Sequence, residues 1–496
     1  MIYRAVGALL RYALGRGLIE SRDLMWAQNR LLHALGLDHM EQAGPDMPLQ
    51  DILRIMDDYA QNAGLIPADS PAYRDIFDAG IMGLLTPRPS EVLRTFLCKY
   101  SQDPRSATDY FYDLSLACDY IRSYRVAKDV KWVCSSRYGD IDVTINLSKP
   151  EKDPKAIAAA RLSAQSDYPK CQLCRQNEGF SGGAAKPPRQ NLRLIPLRLD
   201  GQDWYLQYSP YVYYNEHCIA LSGSHVPMRT DSAAFRRMLD FIDFLPHYFI
   251  GANADLPIVG GSILSHDHMQ GGRYTFAMQR AGADREVVFD GYADVRACIL
   301  RWPVSVIRIR SADRQRLAEL ADRILAAWRG YSDPSAFIYA QTGSEPHNTV
   351  TAIARMRGGE YEFDLALRNN ITTPEHPLGL FHPHEQFHNI KKENIGLIEV
   401  MGLAVLPARL KDEMALLAQT VLSGGDIASE PSISKHAAWF DAFKDKYAFT
   451  KDNIDDILRR QIGDTFVQVL ECAGVYKRTA EGQAAFDRFI GYVNSL

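Results

Sequence analysis

Two stretches of this sequence repeat one order of hydrophobic patterns, and that repeat most constrains what the chain can fold into. Residues 171–300 contain segments in which apolar and polar residues alternate, which is the pattern of strands. These segments lie on either side of residues 230–249, whose apolar residues have helix spacing. Residues 302–370 return to a similar order. The sequence therefore predicts two copies of one α+β unit with antiparallel sheets.

Local patterns predict the elements of the first unit. Asp200 and Gly201 predict the turn of a hairpin, since both tolerate positive φ. The aromatic and β-branched segment 211–223 and the segment 264–270 are each predicted to be a strand. Ahead of them, residues 156–165 are predicted to form a helix.

Helical regions are expected on both sides of the repeat. Residues 1–130 and 412–496 carry apolar residues at helix spacing. A chain of 496 residues is too long for one hydrophobic core. We therefore expect an α+β fold with one unit over 131–300, a second over 301–411, and helical N- and C-terminal regions.

Charge and composition exclude several classes of protein. The net charge of -4 is spread along the chain, so there is no basic face for nucleic acid. No run of about 18 uncharged apolar residues predicts a membrane span. Arg4, Arg11 and Arg16 interrupt the apolar N-terminus, which favours an amphipathic helix over a signal peptide. Eight scattered cysteines are typical of cytosolic proteins, so we expect a cytoplasmic protein.

Cys171 and Cys174 form a CxxC pair. This spacing lets two thiolates bind one tetrahedral Zn²⁺. A structural zinc site needs two more ligands, and His225 and His266 are the candidates. Two reduced cysteines near a turn would show the same pattern, so both interpretations stay open.

The sequence SILSHDHMQGG places His266, His268 and Gln270 at alternate positions between two glycine pairs. Alternate residues of a strand share a face, so these three side chains would project together. The glycines remove side chains where a ligand could approach. Because a neutral imidazole can attack phosphorus, we interpret this stretch as a catalytic site. Histidines bonded to backbone at a polar strand edge are the alternative.

Several segments together resemble the galactose-1-phosphate uridylyltransferases of the histidine-triad superfamily, in particular their second class of longer bacterial enzymes with helical extensions. The resemblance covers about residues 130–480 and implies that the two units are histidine-triad-like. The segments that carry it are the ordered motifs CQLC, NEH, SGSH and GGSILSHDHMQGG, together with residues 142–158, 207–221 and 388–410.

The resemblance implies a nucleotidyltransferase of galactose metabolism. UDP-glucose would give a uridylyl-histidine intermediate and glucose 1-phosphate, and galactose 1-phosphate would then take the uridylyl group to give UDP-galactose. His268 would be the nucleophile, and Gln270 would hold the phosphoryl oxygens. The implied zinc ligands are Cys171, Cys174, His225 and His266. The implied substrate-binding residues are Asn215, Glu216, Asn253 and Ser262.

Gln270 favours transfer over hydrolysis. Hydrolases of the superfamily place a histidine where this chain has Gln270, and a glutamine is no general acid or base near neutral pH. The intermediate should therefore survive until a sugar phosphate arrives. Charge on the transferring group would be stabilised by fixed donors and cations. Arg189, Arg193 and Arg273 are the candidates, and the sequence does not choose among them.

The chain departs from the better-known first class of the family in two respects. Asp267 stands where that class has proline, and HPHEQ occurs instead at 382–386. This second stretch fits a sugar-phosphate site, a metal site or a solvated loop. Asp364 and Ala366 stand where the first class has paired histidines of a second, iron-type metal site, so we expect that site to be absent, although His347 lies nearby in the sequence.

Two other functions stay open at this point. A dinucleoside-polyphosphate phosphorylase of the same superfamily would use the same His268 and Gln270. A non-catalytic, zinc-stabilised scaffold would form no covalent adduct. The sequence does not decide whether N-acetylhexosamine 1-phosphates are accepted, or whether the chain forms a homo-oligomer.

Overall fold

The computed structural model describes residues 1–41, 45–147, 167–183, 186–261 and 263–496. The helix predicted over 156–165 and the candidate Ser262 lie outside the described residues. Within those ranges, the helices are either too short or too polar to span a bilayer.

Antiparallel strands form the centre of the molecule, and helices dominate both ends of the chain. The strands are β1 Val130–Ser136, β2 Gly139–Ile145, β3 Ile195–Leu199, β4 Gln202–Tyr208, β5 Cys218–Ser222, β6 Phe249–Ala252, β7 His268–Gly272, β8 Ala283–Val287, β9 Arg296–Leu300, β10 Val306–Ser311, β11 Gln341–Thr342, β12 Glu345–Pro346, β13 Asn348–Arg357, β14 Glu360–Asn369 and β15 Leu403–Leu406. The helices are α1 Ile2–Gly15, α2 Leu24–Ala34, α3 Leu49–Asn62, α4 Pro71–Leu85, α5 Pro89–Tyr100, α6 Pro104–Ala117, α7 Ser123–Val126, α8 Ser232–Phe244, α9 Ala277–Arg280, α10 Arg314–Gly330, α11 Leu397–Val400, α12 Arg409–Leu422, α13 Ala437–Asp441, α14 Ile454–Ala473 and α15 Ala480–Ser495.

Ten strands form one sheet in the order β3-β4-β5-β7-β6-β13-β14-β10-β9-β8. Counted from the outer edge of the sheet, the five strands of each half lie in the order first, second, third, fifth and fourth, where each number is the strand's place in the chain within that half. In the sequence, the helix of each half, α8 or α10, lies between the third and fourth strands. The predicted repeat is therefore confirmed. The halves join where β6 pairs with β13, so the two units share one continuous sheet.

The boundary expected at residue 300 does not coincide with the pairing of strands. β8 and β9 precede it in the sequence, but β9 pairs with β10 and β8 pairs with β9. By hydrogen bonding, both strands belong to the second half. β1 and β2 form a separate sheet with β15, which runs parallel to β2.

The hairpin predicted around Asp200 and Gly201 is present, and both residues have positive φ, at 46° and 69°. The strand predicted over 211–223 is wrong for its first seven residues, because Val212 and Glu216 adopt positive φ, which an extended strand excludes. Only β5 remains of it.

The strand predicted over 264–270 begins only at His268. Its first residues bond to loops instead: the Asp267 N–H donates to the Val226 carbonyl at 2.7 Å, and the Ser222 N–H donates to the Asp267 carbonyl at 3.0 Å. His266 consequently lies before β7 and not within it.

The two faces of the sheet bury different cores. One face packs under α8, α10 and the N-terminal helices, and its buried residues include Met269, Ala252 and Leu367. The opposite face packs partly against the segment 395–406 and the helices that follow it. Since Met269 points to the helices, its neighbours His268 and Gln270 project from the opposite face.

Candidate active site and metal site

Four sulfur and nitrogen atoms converge beside the start of β7. The ligand atoms of this cluster all lie within 4.8 Å of one another. Cys171 Sγ lies 3.6 Å from Cys174 Sγ, and the two Nδ1 atoms of His225 and His266 lie 3.3 Å apart. The sulfur-to-nitrogen distances between 3.2 and 3.7 Å join Cys171 to His266 and Cys174 to both histidines.

These distances fit one tetrahedral metal ion. Bonds of about 2.3 Å to sulfur and about 2.0 Å to nitrogen would place the sulfurs about 3.8 Å and the nitrogens about 3.3 Å apart. His266 Nε2 donates to the Ser222 carbonyl at 2.9 Å, which leaves Nδ1 as the free lone pair. The structure thus brings all four predicted ligands together as a group that can hold a metal.

His268 is the first residue of β7 and is 7% exposed. Its Nδ1 lies 2.8 Å from the His266 carbonyl, which can only accept, so Nδ1 carries the proton and Nε2 carries the lone pair. Burial lowers the pKa of His268 to about 4, and the imidazole is neutral at pH 7. A neutral imidazole with a free Nε2 can attack phosphorus.

Gln270 lies two residues further along the same face. Its Oε1 accepts a hydrogen bond from His217 Nε2 at 3.1 Å. The amide NH₂ group is left to donate elsewhere. Close backbone contacts follow, because a Cβ at Gly271 would lie 2.5 Å from the Phe249 carbonyl and one at Gly272, where φ is +149°, would lie 2.6 Å from the Glu216 carbonyl.

Asp267 points away from this face. It forms a salt bridge of 2.8 Å with the buried Arg237, which stacks on Trp204. The expected alternation therefore holds for Asp267, His268 and Gln270, whereas His266 belongs to the metal cluster.

Asn215 and Glu216 lie beside Arg273, just beyond the end of β7. Glu216 is 1% exposed and forms an ion pair with Arg273 and a hydrogen bond with the Tyr248 hydroxyl. Asn215 is exposed and donates to the Arg273 carbonyl at 3.3 Å. These contacts hold the turn before β5 against the end of β7.

Asn253 follows β6 and is 4% exposed. Its Oδ1 accepts from the Leu397 N–H at 2.9 Å, and its Nδ2 lies 2.7 Å from where a Cβ at Gly261 would be. Asn253 therefore ties the second half's loop 395–397 to the face that carries His268.

Two arginines named as candidates for phosphate binding have other contacts. Arg193 donates to four backbone carbonyls, including Pro87 at 2.6 Å, and so links the N-terminal helices to the sheet. Arg189 lies over the Tyr120 ring at 5.6 Å. Of the three candidates, Arg273 alone lies beside a predicted substrate residue.

Asp364, one of the residues on which the expected absence of an iron-type site rests, belongs to an ionic network. Asp364 binds Arg308 at 2.6 Å and also pairs with Arg355. His347 bonds to Asn370 and Thr342, each at 2.8 Å. Both carboxylate oxygens of Asp364 therefore have cationic partners within the protein.

The HPHEQ stretch lies in the loop after β14, with a short 3₁₀ turn over Glu385–Phe387. His382 is buried and bonds to Asn394 Oδ1 at 3.2 Å, while His384 stacks on His376 with ring centres 4.3 Å apart. His382, His384 and His388 also each bond to a backbone carbonyl.

Sequence reasoning missed two residues on the His268 face. His217 stands in the NEH triplet directly after the two residues that were singled out, and that position was the available signal. Arg368, at the end of β14, carried no local signal because its neighbours come from distant segments.

Comparison with known proteins is unambiguous. Family models described as galactose-1-phosphate uridyl transferase, N-terminal and C-terminal domain, match residues 17–227 and 242–440. The chain is 51% identical to the galactose-1-phosphate uridylyltransferase of Clostridium acetobutylicum over 99% of both chains. It is 51% identical to that of Halalkalibacterium halodurans, covering 99% of this chain and 98% of the relative, and 49% identical to that of Bacillus subtilis, covering 97% and 96%. The crystal structure of yeast Ap4A phosphorylase Apa2 aligns with 61% of this chain and with 90% of the yeast chain, at 14% identity and a TM-score of 0.31.

Proposed function

The chain belongs to the galactose-1-phosphate uridylyltransferase family, and we propose that it transfers the uridylyl group of UDP-glucose to a hexose 1-phosphate, giving UDP-galactose from galactose 1-phosphate. The observation that carries the proposal is His268, whose Nδ1 donates to the His266 carbonyl and so leaves the lone pair on Nε2.

In the first half-reaction, His268 Nε2 attacks the α-phosphorus of UDP-glucose. The bond from that phosphorus to the bridging oxygen breaks, and glucose 1-phosphate leaves with the electron pair. The imidazole then carries the new N–P bond, and the Nδ1–H bond to the His266 carbonyl stabilises its positive charge.

In the second half-reaction, a phosphate oxygen of galactose 1-phosphate attacks the same phosphorus. The N–P bond breaks and its electron pair returns to His268 Nε2. UDP-galactose is released, and the enzyme regains its first state. Neither half-reaction needs a proton donor, since both leaving groups depart without protonation.

Gln270 orients the transferring group. Because its oxygen accepts from His217, its amide NH₂ faces the opposite way and can donate to a phosphoryl oxygen. A glutamine cannot remove a proton from water, so we infer that the uridylyl-enzyme resists hydrolysis.

We infer that the metal of the Cys171, Cys174, His225 and His266 cluster is Zn²⁺, because two thiolates and two imidazoles are a typical zinc ligand set. When bound, it would join three segments of chain and thereby fix the backbone two residues before His268. Its thiolate ligands must stay reduced, which supports a cytoplasmic enzyme.

The experiment that tests the function combines steady-state kinetics with isotope exchange. With UDP-glucose and galactose 1-phosphate varied together, we expect parallel double-reciprocal lines. Labelled glucose 1-phosphate should also exchange into UDP-glucose without any galactose 1-phosphate. Intersecting lines and no exchange would exclude the double displacement. Turnover of a dinucleoside polyphosphate with phosphate in place of these substrates would support a phosphorylase.

A further inference from the structure

Arg368 is the most deeply buried arginine of the described residues. It is 1% exposed. Its Nη2 donates to the Ile395 carbonyl at 2.9 Å, its Nη1 lies 3.5 Å from Thr351 Oγ1, and its Nε has no hydrogen-bond partner. A guanidinium has five N–H donors, so most of them have no near acceptor within the part of the chain that the structure describes.

The other buried arginines each contact a carboxylate or several backbone carbonyls, although Arg355, like Arg368, has an Nε without a hydrogen-bond partner. A buried charge without a counter-charge costs several kcal/mol, so each would be expected to have partners. Those partners are Asp267 for Arg237, Asp364 for Arg308 and Arg355, and four backbone carbonyls for Arg193. Arg368 differs from them, and an anion from outside the chain would complete its environment.

Arg368 shares a face of the sheet with His268. On β14, Leu365 and Leu367 belong to the core under the helices, so Arg368 projects from the opposite face. On β7, Met269 belongs to that same core, and His268 also projects from the opposite face. Both side chains therefore face the same space.

Strand register gives the lateral spacing between them. β6 pairs with β7 at Gly251 and Gln270, and with β13 at Ala252 and Ala352. Continued by one or two residues, these registers place Asn253 between His268 and Thr351. Two strand spacings of about 4.8 Å, roughly 10 Å in all, then separate His268 from Thr351.

The Arg368 guanidinium extends from β14 to the neighbouring strand β13, where its Nη1 lies 3.5 Å from Thr351 Oγ1, which brings it closer to the strand of His268. A diphosphate is about the length needed to span this gap. Its α-phosphorus would lie against His268 Nε2, and after one bridging oxygen its second phosphate would lie about 2.8 Å from a guanidinium nitrogen. An arginine at this position would therefore contact the phosphate that leaves with the sugar, and not the α-phosphate that is transferred to His268.

Among the described residues, no carboxylate lies at salt-bridge distance from Arg368, whose hydrogen bonds go to Ile395 and Thr351. Glu399 acts on it electrostatically, but its own oxygens bind Lys391 Nζ at 3.0 Å and the Gly396 N–H at 3.2 Å. His382 also lies within electrostatic range of Arg368, and burial lowers the pKa of its imidazole, so the ring is neutral near pH 7 and adds no charge there.

We propose that Arg368 binds the phosphate shared by glucose 1-phosphate and galactose 1-phosphate, as the leaving group of the first half-reaction and the attacking group of the second. This inference rests on the proposed function and adds to it a positively charged phosphate subsite at the end of β14. Since the phosphate is common to both sugars, Arg368 contributes affinity for hexose 1-phosphates without choosing between them.

The test compares Arg368→Met with Arg368→Lys and with Arg193→Met in the full-length protein. Removal of a charge-assisted hydrogen-bond pair typically costs 10- to 100-fold in binding, and we expect a rise of about that size in KM for galactose 1-phosphate in R368M. R368K, which keeps the charge but not the fork geometry, should show a smaller rise.

R368M should have a thermal midpoint no lower than the parent, because it removes an unsatisfied buried charge. R193M should unfold earlier with an unchanged KM.

Stabilisation by glucose 1-phosphate alone separates this inference from the function. The parent should show a rise in thermal midpoint with glucose 1-phosphate that R368M lacks. If the parent exchanges label and R368M matches the parent in both KM and stabilisation, the role of Arg368 is overturned and the proposed function stays intact. A parent with no exchange would overturn the function itself. Should R368M not fold, an unchanged KM in R368K overturns the inference in its place.

Discussion

His217 donates a hydrogen bond to Gln270, with 3.1 Å between Nε2 and Oε1. An amide oxygen can only accept, so the contact fixes both the tautomer of the imidazole and the direction of the amide. Burial lowers the pKa of His217 to about 4, which keeps the ring neutral. One neutral ring thus determines where the Gln270 NH₂ group points.

Replacing His217 by Phe should lower kcat about 10-fold, with less change in KM for UDP-glucose, because an amide free to flip still binds but no longer donates in a fixed direction. Gln270→Ala should cost about 10²-fold or more. Steady-state kinetics measure both. His247→Phe is the control, since His247 also has a pKa lowered to about 4 but bonds Thr108 outside the site. Equal losses in the two histidine variants would contradict a positioning role.

Cys174→Ser should remove the bound metal and lower the thermal midpoint by several degrees, because metal binding to this cluster stabilises only the folded chain. Elemental analysis of protein purified without chelator should find about one zinc per parent chain and almost none in the variant. Cys98→Ser, at an exposed cysteine on α5, should change neither quantity. Metal retained in Cys174→Ser would mean that the cluster is not the binding site.

Asp267→Ala should destabilise the protein by up to about 3–5 kcal/mol, since it removes the closer carboxylate of the buried Arg237 and leaves it only the more exposed Asp231 at 3.4 Å. Denaturant unfolding measures the change. The double variant Asp267→Leu with Arg237→Met should recover most of it, because neither charge remains buried. A single variant as stable as the parent would show that Asp231 alone is a sufficient partner for Arg237.

Stability should depend on pH through Asp119, a buried residue whose carboxylate lies 3.4 Å from Arg122. Burial raises the pKa of Asp119 to about 7, against about 3.9 in an unfolded chain. The folded pKa is the higher one, so this contribution is complete below about pH 4 and is lost as the pH rises to about 7. The loss is on the order of 2–4 kcal/mol.

Asp119→Asn tests that dependence, and asparagine tolerates the positive φ of 57° at this position. Between pH 5 and 7.5, the unfolding free energy of the variant, relative to the parent, should rise with pH. Parallel curves for the two proteins would contradict the assignment.

The sequence could predict what depends on local rules. The Asp200-Gly201 turn follows from backbone preference, and the CxxC pair with two histidines follows from the four-ligand rule. The order of strands and helices in the two halves follows from hydrophobic period.

What remained out of reach depends on pairing between distant segments. The joining of β6 to β13 makes one sheet of two units, and no local pattern specifies it. The same pairing brings Arg368 toward His268, although 100 residues separate them along the chain. The strand predicted over 211–223 failed because tertiary contacts of Glu216 override the β propensity of its aromatic neighbours.

The most direct test of the account is peptide mass spectrometry after incubation with UDP-glucose alone, with digestion at alkaline pH to preserve a bond between phosphorus and histidine. The account predicts a uridylyl adduct on the peptide that contains His268 and none in His268→Asn. An adduct on the peptide with His382 and His384, or an active parent with no adduct at all, would contradict it.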